Sequence, residues 1–174
     1  MTQSVSISAR WTERDTRWMQ AGWLLVVFAA AVVWMGCQPK DVRPGLWLRG
    51  ESVEAHVDDW RFTGDIEEIF IETRPWYGVR HSTTIWCVEL DGELYVGSYG
   101  DEETEKKTWE KNIARSPEAR LGIEGKLYQV ELEPVTDANL TTALDAIYAK
   151  KYDMVEVFGE DVPPWWYYRV AQRH

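Results

Sequence analysis

One stretch of the sequence constrains the fold more than any other, because it joins two apolar, aromatic runs through an Asp-Gly pair. Residues 83–99 read TTIWCVEL, then Asp91-Gly92, then ELYVGSY. An Asp-Gly pair supplies the positive φ angles that a type I′ turn requires. Both runs are rich in β-branched and aromatic residues, which favour strands. The stretch therefore predicts a β-hairpin.

A second hairpin is predicted at residues 119–135, with its turn near Gly125-Lys126. After the turn, apolar and polar residues alternate as they do on a half-buried strand. Pro163 and Pro164 precede an aromatic run typical of a closing strand. This closing strand covers residues 165–170, and two further short strands are predicted at 46–49 and 66–73.

Helices are predicted on either side of the second hairpin. In residues 101–118 the acidic residues come first and the lysines follow, as the helix dipole prefers, and the helix ends before Pro117. Thr136 is predicted to cap a second helix, with apolar residues at helical spacing as far as Lys151. The predicted fold is mainly β with α: a small antiparallel split β-barrel decorated by two or three helices.

Charge and motif content exclude several classes of function. The chain of 174 residues has a formal net charge of -10 and no basic stripe, so binding to nucleic acid is not expected. His56, His81 and His174 lie far apart without ligand spacing, so no metal site is predicted. The sequence contains no nucleophile elbow and no phosphate loop, so its catalytic residues are unknown.

An apolar segment precedes the predicted barrel. Residues 21–36 contain no charged side chain, and Arg10, Arg14 and Arg17 precede them. As a helix, these residues would rise roughly 24 Å, which is short of a hydrocarbon core of roughly 30 Å. The segment is typical of an export signal or anchor helix that holds its basic end in the cytoplasm. We expect a protein of the cell membrane whose folded domain lies on the periplasmic, extracytoplasmic side.

The apolar segment ends at Met35-Gly36-Cys37, which resembles the lipobox of bacterial lipoproteins. The resemblance implies lipidation of Cys37; if the segment is not cleaved, it stays as a single-span anchor. The chain then divides into a signal or anchor segment (1–37), a linker (38–45) and a split-barrel domain (46–174). The other cysteine, Cys87, lies within an apolar strand pattern and is expected to be buried and inert.

The order of motifs resembles the split-barrel flavin-binding superfamily typified by pyridoxamine 5'-phosphate oxidase and the deazaflavin-dependent reductases. The resemblance covers about residues 46–150 and is carried by segments 80–84, 85–98 and 107–121. Within the last segment, Trp109, Asn112 and Pro117 fall at matching spacing. The Gly-Arg-x-Ser-Gly sequence of many deazaflavin reductases is absent.

The resemblance implies a homodimer with FMN as cofactor. A guanidinium, ammonium groups and hydroxyls suit a phosphate, and Trp86 or Trp109 would cover one face of the isoalloxazine ring. The implied cofactor-binding residues are Arg80, His81, Ser82, Thr83, Thr84, Lys106, Lys107 and Trp109.

Two functions remain open from the sequence. One is an FMN-dependent oxidoreductase of a small organic substrate, in which the cofactor supplies the redox chemistry. The other is a non-catalytic envelope lipoprotein that uses the barrel to bind an apolar ligand or a partner. For the second function, the aromatic tail at 163–168 is the candidate contact surface.

Overall fold

The computed structural model describes residues 45–100 and 106–173. The predicted signal or anchor segment, most of the linker and Cys37 lie outside the described residues. The described part contains seven strands, three α-helices and a short 3-10 turn at Arg61–Thr63. In chain order these are β1 (Glu51–Val53), β2 (Glu68–Thr73), β3 (His81–Leu90), β4 (Glu93–Tyr99), α1 (Thr108–Ile113), β5 (Glu118–Ile123), β6 (Lys126–Pro134), α2 (Ala138–Lys151), α3 (Met154–Phe158) and β7 (Trp165–Gln172).

Six of the strands close into a barrel. The order across the sheet is β1-β6-β5-β2-β3-β4-β7, and β7 also pairs with β6, which closes the ring. All neighbours in the ring are antiparallel, whereas β1 runs parallel to β6 outside it. The predicted fold class, a small antiparallel split barrel with helices, is confirmed.

Both predicted hairpins are present. In the first, Asp91 and Gly92 have φ values of 55° and 87°, the two positive angles that a type I′ turn needs. In the second, the positive φ values of 48° and 79° belong to Glu124 and Gly125, so the turn lies one residue earlier than predicted.

Other predicted boundaries were wrong. Residues 46–49 are not a strand, because the Leu48 N–H donates to the Glu72 carboxylate at 2.6 Å instead of to a neighbouring strand. The N-cap of α2 is Asp137, whose carboxylate accepts from the Leu140 N–H at 2.8 Å; it is not Thr136. Within the described residues the helix between the hairpins spans only Thr108–Ile113, and α3 was not predicted.

Two apolar clusters stabilise the fold. The first fills the barrel, with Ile69, Ile71, Leu121 and Val130 at most 1% exposed. The second lies between α2 and the outer face of β3, β4 and β7. Its central members are Val88, Leu144, Tyr148, Tyr152 and Tyr167. Helix α2 is thereby fixed against the place where β3 and β4 meet.

Strand β3 changes partner along its length. Its first six residues, His81–Trp86, pair with β2, and its last four, Cys87–Leu90, pair with β4. Because β4 continues to Tyr99, the strands part beyond Cys87 and Val96, and the barrel is split there.

Tyrosines of α2 occupy the places where β3 loses a strand partner. The Tyr148 hydroxyl donates to the Trp86 carbonyl at 3.0 Å and also hydrogen-bonds the Gly97 backbone. The Tyr152 hydroxyl lies 2.5 Å from the Glu67 carbonyl and 2.7 Å from that of Cys87. These phenols therefore satisfy backbone groups that a continuous sheet would have paired.

Replacing Gly97 by alanine tests whether Tyr148 fills the split. An added Cβ would lie 2.8 Å from the Tyr148 hydroxyl and 3.0 Å from a Trp165 ring carbon, so Gly97→Ala should destabilise the fold by about 1–3 kcal/mol. Thermal unfolding followed by far-UV circular dichroism measures the change. Gly64→Ala is the control, since the nearest atom to an added Cβ at that position would be the Arg61 carbonyl oxygen, at 3.3 Å. Equal melting temperatures for the two variants would contradict the packing described.

Candidate functional site

A cleft of about 860 Å³ opens where β3 and β4 part. This volume lies within the range of small-molecule sites. Its walls come from the first half of β3, the end of β4, the start of α1, the end of α3 and the start of β7. The split in the barrel and the cleft are therefore one feature.

One end of the cleft is polar. Ser82, Thr83 and Thr84 line it from β3, and Lys106, Lys107 and Thr108 line it from the segment that begins α1. Ser82 is 2% exposed, and its hydroxyl has no hydrogen-bond partner among the described residues. A buried hydroxyl without a partner is costly, so this group is suited to a ligand that completes its hydrogen bonding.

The other end of the cleft is aromatic. The rings of Trp86 and Trp165 are nearly parallel, with centroids 5.7 Å apart, and Tyr99 lies 5.0 Å from Trp165. Phe158, at the end of α3, contacts Tyr99 edge to face at 4.7 Å. The Lys107 ammonium lies 4.2 Å from the Tyr99 ring centroid, so a cation stands between the polar and aromatic ends.

Glu110 holds the polar end of the cleft in place. Its side chain is 1% exposed, and one oxygen accepts from the Ser98 hydroxyl at 2.7 Å and from the Lys107 N–H at 2.8 Å. The other oxygen accepts from the Trp166 indole and from the Tyr168 hydroxyl. Since Ser98 lies on β4 and the two aromatic residues on β7, the carboxylate ties the start of α1 to both strands.

Seven of the eight predicted cofactor-binding residues lie at this cleft. They are His81, Ser82, Thr83, Thr84, Lys106, Lys107 and Trp109. Arg80 does not line the cleft, because its guanidinium lies 3.0 Å from the buried Glu72 carboxylate. Glu72 also pairs with Arg120 at 2.6 Å and accepts from the Leu48 N–H. Arg80 therefore belongs to a buried ion-pair cluster.

Trp109 and His81 also make side-chain contacts within the protein. Trp109 is 5% exposed and packs edge to face on Tyr168, with ring centroids 5.3 Å apart. His81 is hydrogen-bonded through Nε2 to the Tyr77 hydroxyl at 2.7 Å. Asn112, one turn after Trp109, donates to the Thr73 hydroxyl at 2.9 Å. Trp109 and Asn112, the two residues of the Trp-x-x-Asn motif, thus hold α1 against the barrel.

Sequence reasoning missed Glu110 and the contribution of α3. Glu110 looks like a solvated residue of a charged helix, and nothing local distinguishes it from its neighbours. Phe158 lies in a short helix that was not predicted. The aromatic tail was predicted as a strand and, for function, as a contact surface, whereas Trp165 is half-buried at the cleft.

Trp86 was predicted as a cover for a flavin ring. In the structure it stacks on Tyr152 at a centroid distance of 4.3 Å and an interplanar angle of 4°. Its ring is thus engaged with α2 as well as with Trp165. Tyr99 and Trp165 complete the aromatic end of the cleft.

Cys87 lies behind the cleft in the barrel core. Burial raises the pKa of its thiol from 9.0 to about 11, although the nearby Lys151 ammonium opposes the shift. Since the folded pKa exceeds the unfolded one, this group's contribution to stability is complete below pH 9 and declines as the pH rises toward 11. The expectation that Cys87 is buried is confirmed.

The described residues contain neither a cluster of metal ligands nor a helix that could span a membrane. Within residues 45–100 and 106–173, no three His, Cys, Asp or Glu side chains are grouped as metal ligands. No helix in these two ranges has the length and apolar content needed to cross a bilayer.

Residues 61–162, more than half of the chain, match the family described as uncharacterized protein conserved in bacteria (DUF2255), and the chain belongs to this family. The match runs from the 3-10 turn to the residue before Pro163. It therefore includes both sides of the split and most of the cleft. No curated protein matches the chain.

The chain is also similar to several solved structures. A candidate 5-nitroimidazole antibiotic resistance protein from Bacteroides thetaiotaomicron is 7% identical with a TM-score of 0.48, covering 79% of this chain and 92% of that one. A FAD-binding protein from Mesorhizobium loti is 10% identical with a TM-score of 0.43, covering 62% and 80%. A NimC/NimA family protein from Clostridium acetobutylicum is 12% identical with a TM-score of 0.42, covering 60% and 73%.

None of these three structures is more than 12% identical to the chain, and their TM-scores lie below 0.5. These similarities therefore give no information on what this chain binds.

Replacing Glu110 by glutamine tests its role in holding the cleft. The amide has one acceptor oxygen in place of two, so at least one of the four buried donors loses its partner, and Glu110→Gln should cost about 1–3 kcal/mol of stability. Glu118→Gln is the control, because Glu118 is 55% exposed and pairs only with Arg173 at the surface. Urea unfolding measures both; equal free energies of unfolding would contradict the role assigned to Glu110.

The buried state of Cys87 is tested by alkylation. At pH 8.5 the folded chain should react with iodoacetamide at Cys87 at least tenfold more slowly than the urea-unfolded chain, because the thiol is 0% exposed and burial raises its pKa from 9.0 to about 11, which lowers the thiolate population. Peptide mass spectrometry distinguishes Cys87 from Cys37. Equal rates in the folded and unfolded chains would contradict the burial.

Proposed function

We propose that the chain is an FMN-binding oxidoreductase of a small organic substrate, attached to the cell membrane with its barrel on the extracytoplasmic side. The observation that carries the proposal is the cleft at the split, which combines a polar, basic end with an aromatic end. FMN has a matching form, a phosphate at one end and a flat ring system at the other.

The polar end fits a phosphate in its chemistry. Three hydroxyl residues of β3 and two lysines line the cleft, and the Ser82 hydroxyl has no partner among the described residues. Ammonium groups and hydroxyls form strong hydrogen bonds to phosphate oxygens. Ser82, Thr83, Thr84, Lys106 and Lys107 would hold the phosphate.

The aromatic end fits a flat ring. Tyr99, Phe158 and Trp165 form its wall, and Lys107 lies at the boundary between the two ends. A bound flavin supplies electron transfer by itself, so the protein's contribution is to bind it, orient it and exclude water. Trp109 and Glu110 contribute by fixing the start of α1.

Attachment to the membrane is supported by the sequence. The apolar run 21–36 follows Arg10, Arg14 and Arg17, and Cys37 is placed where a lipoprotein is acylated.

Homodimer formation is also part of the proposal. Exposed apolar residues beside the cleft support it, since Val155 is 62% and Val157 54% exposed.

Titration of the full chain, purified in detergent, with FMN tests the proposal. We expect quenching of flavin fluorescence, and we expect Lys106→Ala/Lys107→Ala to weaken FMN binding about tenfold, because each charged hydrogen bond contributes on the order of 1.5–3 kcal/mol before solvent exposure reduces it. Lys126→Ala, at the exposed first residue of β6, should leave the affinity unchanged. Riboflavin, which has no phosphate, should bind the double variant and the unaltered chain equally.

The same titration addresses the alternative, a non-catalytic protein that binds an apolar ligand or a partner. The aromatic end of the cleft and the half-buried Trp165 favour it. In that case riboflavin and FMN would bind equally to the unaltered chain, and the lysine variants would change nothing. No spectral change at high micromolar FMN would reject the flavin proposal.

A further inference from the structure

An exposed aromatic surface lies at the end of the barrel where the described residues begin. It consists of Leu46, Trp47, Trp76, Tyr77 and Val79, here called the aromatic end surface. Trp76 is 82% exposed, Tyr77 and Val79 are 49% exposed, and Leu46 and Trp47 are 37% exposed. Side chains of this size are expensive to leave in water, so such a concentration indicates a contact surface.

Backbone contacts bring the two parts of this surface together. Gly45 and Ser82 exchange two hydrogen bonds, at 2.8 and 3.0 Å. The Leu48 N–H donates to Glu72 at 2.6 Å, and Arg80 pairs with the same carboxylate at 3.0 Å. Residues 45–48 are thus held against both strands that flank the turn carrying Trp76 and Tyr77.

Arg74 places a positive charge beside this surface, two residues before Trp76, in a chain whose net charge is -10. Arg80 is already paired with Glu72 at 3.0 Å. Exposed tryptophan and tyrosine next to arginine are typical of the interface between lipid headgroups and hydrocarbon.

The length of the preceding chain places this end near a membrane. Gly45 follows Cys37 by eight residues, so the two are at most about 28 Å apart even when the chain is fully extended. If Cys37 is held at a bilayer, Gly45 and the aromatic end surface are the part of the described domain that the tether holds nearest to it.

We propose that the aromatic end surface docks on the lipid bilayer, with Trp76 and Tyr77 in the headgroup region and Arg74 beside the lipid phosphates. This inference rests on the proposed membrane attachment. It adds an orientation: the turn between β2 and β3 faces the membrane, and the turn at Asp91-Gly92, at the opposite end of β3, faces away.

Photo-crosslinking of the full chain in its bacterial membrane tests the orientation. Benzoylphenylalanine is placed at Trp76, at Phe62 or at Phe28. Phe62 is a matched control, because it is an aromatic residue that is 46% exposed and lies near the opposite end of β3. It stacks on Trp60, whose N–H donates to the Gly92 carbonyl in the turn that follows β3. Phe28 lies within the apolar segment and reports on attachment itself.

We expect lipid adducts at positions 28 and 76, and roughly tenfold fewer at 62, since β3 separates the two ends by about 30 Å. Adducts at 28 with none at 76 would overturn the docking and leave the attachment intact. Adducts between two copies of the chain at 76 would make this surface a protein interface and overturn the docking as well. Absence of lipid adducts at both 28 and 76 would overturn attachment and docking together.

Discussion

The parting of β3 from β4 is the feature on which the rest of the structure depends. Backbone groups exposed by the split must still be hydrogen-bonded, and the Tyr148 hydroxyl of α2 provides this for Trp86 and Gly97. Tyr152, which directly follows α2, does the same for Glu67 and Cys87, where β2 begins. The Tyr148 phenol stands where β3 and β4 would otherwise pair, beside the cleft. Burial raises the pKa of both phenols, so they remain neutral donors at physiological pH.

Two buried carboxylates hold segments of the chain in place, and each does so with a different set of partners. Glu72 pairs with Arg80 and Arg120 and holds the segment at Leu48, next to the exposed turn between β2 and β3. Glu110 has four neutral donors and fixes the start of α1, where the cleft's lysines lie. A buried charge that has lost its partners is costly, so both carboxylates make the local geometry specific.

The sequence was a good guide where local chemistry decides the structure. Asp91-Gly92 fixes its hairpin regardless of context, and the hydroxyl and lysine residues of the cleft were found because a family resemblance pointed to them. Glu110 was not predictable, because three of its four donors come from Ser98, Trp166 and Tyr168, separated from it by 12, 56 and 58 residues. Arg80 was assigned to the cleft because its partner could not be identified from the sequence. The pairing of β2 with β3 brings Arg80 next to Glu72.

Hydrogen–deuterium exchange of the full chain with and without FMN measures whether the split between β3 and β4 is a ligand site. We expect slower exchange, on adding FMN, in peptides that cover residues 81–86 and 106–109, with no change at residues 126–134 of β6. Slower exchange confined to residues 163–168, or none at saturating FMN, would contradict it.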